Sequence, residues 1–179
     1  MTRIIGGVAR GRRLVTPRGR STRPTSDRVR EGLFSSLGGD LSGRSFLDLY
    51  AGSGAVGLEA ASRGAAPVLL VDRDPKAVRA TRDNVAALGL GDVHVRAESV
   101  TRFLAEPATP YDVVFVDPPY EDGVDGVLAL LAEGGWIAAG GQIVVERDAR
   151  GEPPAWPAGV APDRSRRYGD TMLWYGRRP

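Results

Sequence analysis

Residues 46–57 read Phe-Leu-Asp-Leu-Tyr-Ala-Gly-Ser-Gly-Ala-Val-Gly, a short apolar run that leads directly into glycines spaced as G-x-G-x-x-G. Glycines at this spacing permit a tight turn between a strand and a helix and let backbone N–H groups approach a ligand closely. The pattern alone is weak, but Asp72 ends the next apolar run, twenty positions after Gly52. A carboxylate there can accept both hydroxyls of a ribose. Together these features predict a site for a cofactor that contains a nucleoside.

Short apolar runs alternate with longer helical patterns around this turn. The predicted strands span residues 46–50, 68–71, 93–95, 113–116 and 143–145. The predicted helices span residues 56–63, 75–88 and 124–132. After a proline-rich loop over 150–162, residues 164–168 and 171–175 flank a turn at Gly169 and Asp170. The alternation predicts an α/β, Rossmann-like fold: a mostly parallel seven-stranded sheet with helices on both faces and an antiparallel C-terminal hairpin at its edge.

The N-terminal segment has a different character from the rest of the chain. Apolar residues on either side of Arg10 and Gly11 predict a small β-hairpin. Thr25, Ser26 and Asp27 then offer N-cap side chains for a further helix, which the glycines after Leu37 end. We therefore expect a basic hairpin arm over residues 1–24 and a single larger domain over residues 25–179.

Charge is concentrated in this arm. The first 30 residues hold nine arginines and one acidic residue, a local balance of +8, whereas the whole chain carries a formal net charge of only +2. A basic arm on a mildly acidic body is typical of a nucleic-acid binder, although a merely solvated tail stays an alternative. The predicted RNA contacts are Arg3, Arg10, Arg12, Arg13, Arg18, Arg20, Arg23, Arg28 and Arg30.

Composition excludes several classes of chemistry. The chain has no cysteine, which removes disulfides, thiolate metal sites and a cysteine nucleophile. It has one histidine, His94, so a site built from several histidines is impossible and no metal is expected. No apolar run approaches the roughly 18 residues of a membrane-spanning helix, and no apolar stretch follows the N-terminal arginines as in a secretory signal. We expect a cytoplasmic monomer without a membrane partner.

Asp48, on the strand before the glycines, favours one cofactor. A dinucleotide would place its pyrophosphate at this turn, where a carboxylate adds repulsion. S-adenosylmethionine (SAM) instead carries a sulfonium and an amino group, both of which an acidic residue favours. Glu98 or Ser99, after the third strand, is positioned to reach the adenine. The predicted cofactor contacts are Asp48, Tyr50, Ala51, Gly52, Ser53, Gly54, Gly57, Asp72, Arg73, Glu98, Ser99 and Asp117.

A second motif, Asp117-Pro118-Pro119-Tyr120, directly follows the fourth predicted strand. These four residues are the predicted catalytic group, because the carboxyl ends of parallel strands face the ligand crevice. An exocyclic amino group of a base is a poor nucleophile, since its lone pair is delocalised into the ring. The Asp117 carboxylate and the Pro118 carbonyl can accept its two N–H bonds and direct the lone pair at a sulfonium methyl group. Tyr120 can stack on a flipped-out base.

The order of these motifs resembles class I SAM-dependent methyltransferases, and D-P-P-Y resembles the signature of those that methylate exocyclic amino groups. The N-terminal stretches over residues 3–14 and 23–34, together with Phe115-Val116-Asp117-Pro118-Pro119-Tyr120 and Gly135-Trp136, are similar to the RsmD family over nearly the whole chain. That resemblance implies methyl transfer to N2 of a guanine in 16S rRNA, within the small ribosomal subunit or an assembly particle. It also makes residues 25–179 a methyltransferase domain.

Two other functions remain open from the sequence. An adenine-N6 methyltransferase acting on DNA or RNA has the same D-P-P-Y motif. The chain is, however, small and has no segment for recognising a DNA sequence. A non-catalytic RNA-binding assembly factor that keeps SAM binding is the third reading, and the intact motif argues against it. A methyl-transfer assay on small subunits distinguishes the three.

Overall fold

A seven-stranded sheet in the order β3-β2-β1-β4-β5-β7-β6 organises the computed structural model, which describes residues 1–17 and 25–179. Its strands are β1 (Phe46–Leu49), β2 (Val68–Asp72), β3 (Val93–Ala97), β4 (Tyr111–Val116), β5 (Ile137–Asp148), β6 (Ala161–Tyr168) and β7 (Thr171–Arg177). The helices are α1 (Asp27–Ser36), α2 (Ala55–Ser62), α3 (Pro75–Leu88), α4 (Val100–Leu104) and α5 (Asp125–Gly134). The predicted Rossmann-like architecture is confirmed.

The first five strands pair in parallel, and β7 runs antiparallel to both β5 and β6. The chain builds outward from β1 to β3 and then returns to place β4 on the other side of β1. This reversal creates a crevice outside the carboxyl ends of β1 and β4, where ligands bind in open α/β sheets.

Successive residues of the central strands point to opposite faces of the sheet and fill two apolar layers. Leu47 and Val114 belong to the layer that α4 and α5 cover. Phe46 and Val113 belong to the layer covered by α1 and α2. Because helices shield both faces, all four residues of β1 are buried, as expected for a central parallel strand.

Three local predictions differ from the structure. The helix α4 was not predicted, because its five residues are too few to show a helical period. Strand β5 begins at Ile137, six residues before the predicted run, and its pairing with β4 shifts register between Tyr111 and Val113. Pro162, predicted in the loop, lies in β6, where the outermost position in the sheet tolerates its missing N–H.

The N-terminal segment reverses direction as predicted, but its only bridge within the described residues is the isolated antiparallel pair Arg3 and Arg13. Its apolar residues pack on the domain: Ile4 and Leu14 are buried against Ala55 and Leu58. The Ile4 N–H donates to the Arg12 carbonyl and the Leu14 N–H donates to the Thr2 carbonyl, each at 2.9 Å, so the segment forms a very short antiparallel hairpin that packs on α2.

Side chains of α2 make further hydrogen bonds to the backbone of this segment. The buried Glu59 carboxylate accepts from the backbone N–H groups of Ile5 at 2.8 Å and Gly6 at 2.7 Å. At Gly7 a Cβ would lie 1.8 Å from the carbonyl oxygen of Ser62, so only glycine permits this approach.

None of the helices in residues 1–17 and 25–179 combines the length and the apolar character needed to cross a membrane.

Candidate active site

The glycine turn connects β1 to α2 with backbone geometry that ordinary residues rarely adopt. Tyr50, Gly52 and Gly54 have φ values of 64°, 59° and 80°. A Cβ on Gly52 would meet no atom within 4 Å, so the space beside this residue is open to a ligand. Gly57 is required for a different reason, because a Cβ there would lie 2.5 Å from Cδ2 of Leu70.

Asp72 fastens this turn to the end of β2. Its Oδ2 accepts from the backbone N–H of Gly52 at 2.8 Å, and its Oδ1 accepts from that of Asp74 at 2.9 Å. Each carboxylate oxygen retains acceptor capacity for a further donor. The carboxylate therefore lies beside the open face of the turn, where the sequence places the ribose.

Asp48 lies under the turn and is 1% exposed. Its Oδ2 accepts from the backbone N–H of Gly57 at 2.8 Å. Burial, together with the negative charges of Asp117 and Asp72, raises the pKa of Asp48 to about 8, against the partial compensation of the Gly57 hydrogen bond. A cation in the crevice would favour the ionised carboxylate.

Two side chains of α3 hold the turn from behind. The Thr81 hydroxyl donates to the carbonyl oxygen of Gly52 at 2.7 Å. The Asn84 amide Nδ2 donates to the carbonyl oxygen of Ser53 at 2.9 Å and to that of Val15, in the N-terminal segment, at 2.9 Å. Asn84 Oδ1 also accepts from the Val15 N–H at 2.7 Å. One carboxamide thus contacts both the glycine turn and the N-terminal segment.

The two candidate adenine ligands have partners of their own. Glu98 pairs with Arg96 at 2.5 Å and lies 3.8 Å from Arg102. The Ser99 hydroxyl accepts from the N–H of Arg102 and caps α4. Arg73 lines a surface cleft of about 470 Å³ next to Asp72.

The D-P-P-Y motif follows β4 at the same edge of the sheet. Burial raises the pKa of Asp117 to about 7, and the charge of Arg147 opposes this shift. The carbonyl of Pro119 accepts from the N–H of Asp122 at 2.9 Å, which closes the turn. The carbonyl of Pro118 accepts no hydrogen bond from the described residues. The Tyr120 ring is 75% exposed and projects into solvent.

Sequence reasoning missed Glu146, which lies beside Asp117. Val116 of β4 is paired with Val145 of β5. Asp117 and Glu146 are the next residues in the chain after this pair, so they are neighbours at the same edge of the sheet. The Thr25 hydroxyl donates to Oε2 of Glu146 at 3.0 Å. Burial and the charges of Asp117 and Asp48 raise the pKa of Glu146 well above its usual value, against the Thr25 hydrogen bond. Its signal in the sequence was an acidic residue at the end of a predicted parallel strand.

The nine predicted RNA-binding arginines fall into three groups: three lie outside the described residues, five are exposed and one, Arg30, is buried. Arg18, Arg20 and Arg23 lie outside the described residues. Arg3, Arg10, Arg12, Arg13 and Arg28 are exposed.

Arg30 was wrongly predicted as an RNA contact. It is 0% exposed and forms ion pairs with Asp27 at 2.7 Å and Glu59 at 3.6 Å. Counting charges along the sequence cannot distinguish an internal arginine from an exposed one. One of the two acidic partners of Arg30, Glu59, comes from another helix.

Comparison with known proteins places this geometry in a family. A family model described as conserved hypothetical protein 95 matches residues 2–177. The ribosomal RNA small subunit methyltransferase D of Escherichia coli is 42% identical over 157 residues, which cover 87% of this chain and 79% of the relative. The chain belongs to the RsmD family of SAM-dependent rRNA methyltransferases. The predicted family, enzyme class and cofactor are confirmed.

Solved structures support the RsmD fold. The E. coli protein YhhF has a TM-score of 0.90 at 38% identity, covering 99% of this chain and 97% of that one. An RNA methyltransferase from Salinibacter ruber, in complex with S-adenosyl-L-homocysteine, has a TM-score of 0.67 at 20% identity and covers 88% of this chain and 94% of that one. At that identity the second likeness concerns the fold alone.

The residues at the glycine turn fit SAM. The space beside Gly52 that a side chain would fill is open, Asp72 presents free acceptor capacity, and Asp48 is a buried acidic group suited to a cation. Among the described residues, no group of three or more histidine or acidic side chains is arranged to hold a metal ion.

Proposed function

We propose that this enzyme methylates the exocyclic N2 of a guanine in 16S rRNA, presented within the small ribosomal subunit or an assembly particle. The observation that carries the proposal is the placement of Asp117-Pro118-Pro119-Tyr120 after β4, directly beside the strand that ends in the glycine turn. A base bound at the motif and a methyl donor bound at the turn would share one crevice. The E. coli relative, named as a small-subunit rRNA methyltransferase, supports the choice of RNA.

The cofactor contacts follow from the geometry of the turn. Asp72 would accept from the ribose hydroxyls, the backbone of residues 50–54 would line the open side, and Asp48 would face the positive charge. Arg73 and either Glu98 or Ser99 would border the adenine. When bound, SAM supplies an electrophilic methyl group on a sulfonium.

Catalysis would depend on how the protein presents the amino group. Asp117 and the carbonyl of Pro118 accept the two N–H bonds of N2, which directs the nitrogen lone pair along the line of attack. With SAM bound as the source of the methyl group, Asp117 would take the proton that N2 releases and pass it on to water. Tyr120 stacks on the flipped base. Position and electrostatic complementarity lower the barrier, and no covalent intermediate is needed.

The exposed arginines among the predicted RNA contacts, Arg3, Arg10, Arg12, Arg13 and Arg28, would bind the phosphate backbone. Residues 1–24 would act as an RNA-binding segment on a catalytic domain over residues 25–179. We infer a monomer acting in the cytoplasm, where its substrate particle assembles.

A methyl-transfer assay tests this function. Small subunits purified from a strain that lacks its own enzyme are incubated with radiolabelled SAM, and the rRNA is digested to nucleosides. We expect the label in N2-methylguanosine of 16S rRNA. Label in N6-methyladenosine would instead establish the adenine-N6 alternative. Binding of SAM and RNA with no transfer would establish a non-catalytic assembly factor.

A further inference from the structure

Glu146 is the feature of the crevice that the proposed reaction leaves unused. It lies on β5 next to Asp117, because Val145 and Val116, the last pair between β5 and β4, are paired in parallel one position earlier. Burial and then the charge of Asp117 raise the pKa of Glu146, as expected when like charges lie close together. Two acidic side chains therefore meet at the place where the target base would bind.

In the described part of the chain, neither carboxylate has a basic partner in contact. Within residues 1–17 and 25–179, no arginine or lysine forms an ion pair with Glu146 or Asp117. Both residues are half-buried, and acceptor oxygens left without protein donors beside a crevice are available to the donors of a ligand. The pair is thus arranged to receive two neighbouring N–H groups.

Thr25 fixes the direction in which Glu146 can accept. Its hydroxyl donates to Oε2 at 3.0 Å, while Oε1 receives no hydrogen bond from the described residues. Since Thr25 lies just before α1, the position of that helix orients the free oxygen. The carboxylate is held by one oxygen and open at the other.

Among the nucleobases, guanine offers neighbouring donors of this kind next to the methylated nitrogen. Its Watson–Crick edge presents N1–H beside the N2 amino group. Adenine presents an amino group beside N1, which is an acceptor. A carboxylate facing N1 would therefore bind guanine through a hydrogen bond and repel adenine through lone-pair contact, a difference that sites built around a hydrogen bond exploit strongly.

We propose that Glu146 accepts a hydrogen bond from N1–H of the target guanine, while Asp117 accepts from N2–H, and that Glu146 thereby selects guanine over adenine. This assignment rests on the proposed function, since it concerns the same base. It makes Glu146 a specificity-determining residue and Thr25 its positioning residue.

The test alters the contact on the protein side and on the RNA side. Glu146→Gln replaces a carboxylate oxygen by an amide that can also donate. The RNA partner is a small subunit reconstituted with 2-aminopurine in place of the guanine that the wild type methylates. This base keeps the amino group but has an acceptor at N1. Initial rates of methyl transfer are measured for both proteins on both particles.

We expect Glu146→Gln to lower the rate on guanine by about tenfold to a hundredfold. On 2-aminopurine the wild type should be slow, and Glu146→Gln should lose much less rate or gain some, so the preference for guanine shrinks. SAM affinity should stay within about twofold of wild type. A matched control is Asp148→Asn, two residues farther along β5, which should leave the preference unchanged.

Several results would overturn the assignment. One is wild-type turnover on guanine by a folded Glu146→Gln protein, and another is equal loss on both bases. If Glu146→Gln does not fold, Thr25→Val removes only the orienting hydroxyl, and its guanine preference must fall for the assignment to stand. Failure of the proposed function is distinct, because the wild type would then form no N2-methylguanosine on the unmodified particle.

Discussion

Asp72 is the proposed ribose contact, and its carboxylate accepts from the Gly52 N–H beside the open side of the turn. We expect Asp72→Ala to weaken SAM binding by tenfold to a hundredfold, on the order of 1.5–3 kcal/mol, through loss of a charge-assisted ribose contact. Asp72→Asn keeps an acceptor and should lose less. Isothermal calorimetry on the folded variants measures both. Wild-type affinity in Asp72→Ala would contradict the assignment.

Asp117 provides a pH signature. An ionised carboxylate accepts the N–H bond, and burial raises the pKa of Asp117 to about 7, so the active form accumulates as the pH rises through neutrality. Single-turnover rates should therefore increase from about pH 6 to about pH 8, and the profile reports Asp117 and Glu146 together because they interact. Asp117→Ala should lose most transfer while SAM affinity changes only a few fold. A rate independent of pH would count against the role.

Asp48 should couple cofactor binding to a proton. Its raised pKa, about 8, leaves the carboxyl protonated in the free protein at neutral pH, and a bound cation favours the ionised form. SAM binding should therefore release a proton below about pH 8, and the affinity should rise with pH up to that value. Calorimetry in two buffers of different ionisation enthalpy measures the proton. Asp48→Asn should abolish the release, and an equal release from this variant would assign the proton elsewhere.

Sequence spacing was sufficient to bring Gly52, Asp72 and Asp117 to one edge of the sheet, because parallel strands end on the same side. It could not identify Glu146, which resembles any polar residue after an apolar run until the register of β4 and β5 is known. Arg30 shows the opposite failure. The burial of Arg30 depends on its ion pair with Glu59 of α2, and periodicity alone does not indicate that Glu59 is buried.

At the scale of elements, Glu59 joins α1, α2 and the N-terminal segment. Its carboxylate accepts two backbone N–H groups and pairs with Arg63 and the buried Arg30. Glu59→Ala should lower the free energy of unfolding by about 3–5 kcal/mol, because it leaves the N–H groups of Ile5 and Gly6 without their acceptor and removes one of the two acidic partners of the buried Arg30. Denaturant titration measures the change.

The matched control for Glu59 is Arg150→Ala at the exposed pair with Asp148, which should give no measurable loss of stability. A loss of similar size in both variants would show that burial is not the cause. Helix and strand positions were predictable from periodicity, whereas this anchoring was not. It adds, to the short pairing of the N-terminal segment, hydrogen bonds to a side chain far along the chain.

On the scale of the whole molecule, the exposed arginines of the N-terminal segment are separable from its packing. Arg10→Gln combined with Arg13→Gln should weaken RNA binding and flatten the slope of log K against log salt by roughly 0.7–0.9 for each lost phosphate contact. Thermal unfolding and SAM affinity should not change, since Ile4 and Leu14 supply the packing. Filter binding over a salt series gives the slope.

An equal change of net charge elsewhere controls for general electrostatics. Arg166→Gln with Arg177→Gln alters exposed residues of the C-terminal hairpin, outside the N-terminal segment. This double variant should keep the wild-type salt slope. Equal flattening in both would show that net charge, rather than contact by the N-terminal segment, governs binding.

Asn84 connects the N-terminal segment to the glycine turn. Its single carboxamide makes hydrogen bonds to the backbone of Val15 and to the carbonyl of Ser53, so a shift of either backbone segment disturbs both sets of hydrogen bonds. Thermodynamic reciprocity then requires that whatever SAM does to the affinity for RNA, RNA does to the affinity for SAM by the same factor. The enzyme with bound SAM and the enzyme without it should therefore have different residence times on the particle. Exchange of the used cofactor would then set when the enzyme dissociates.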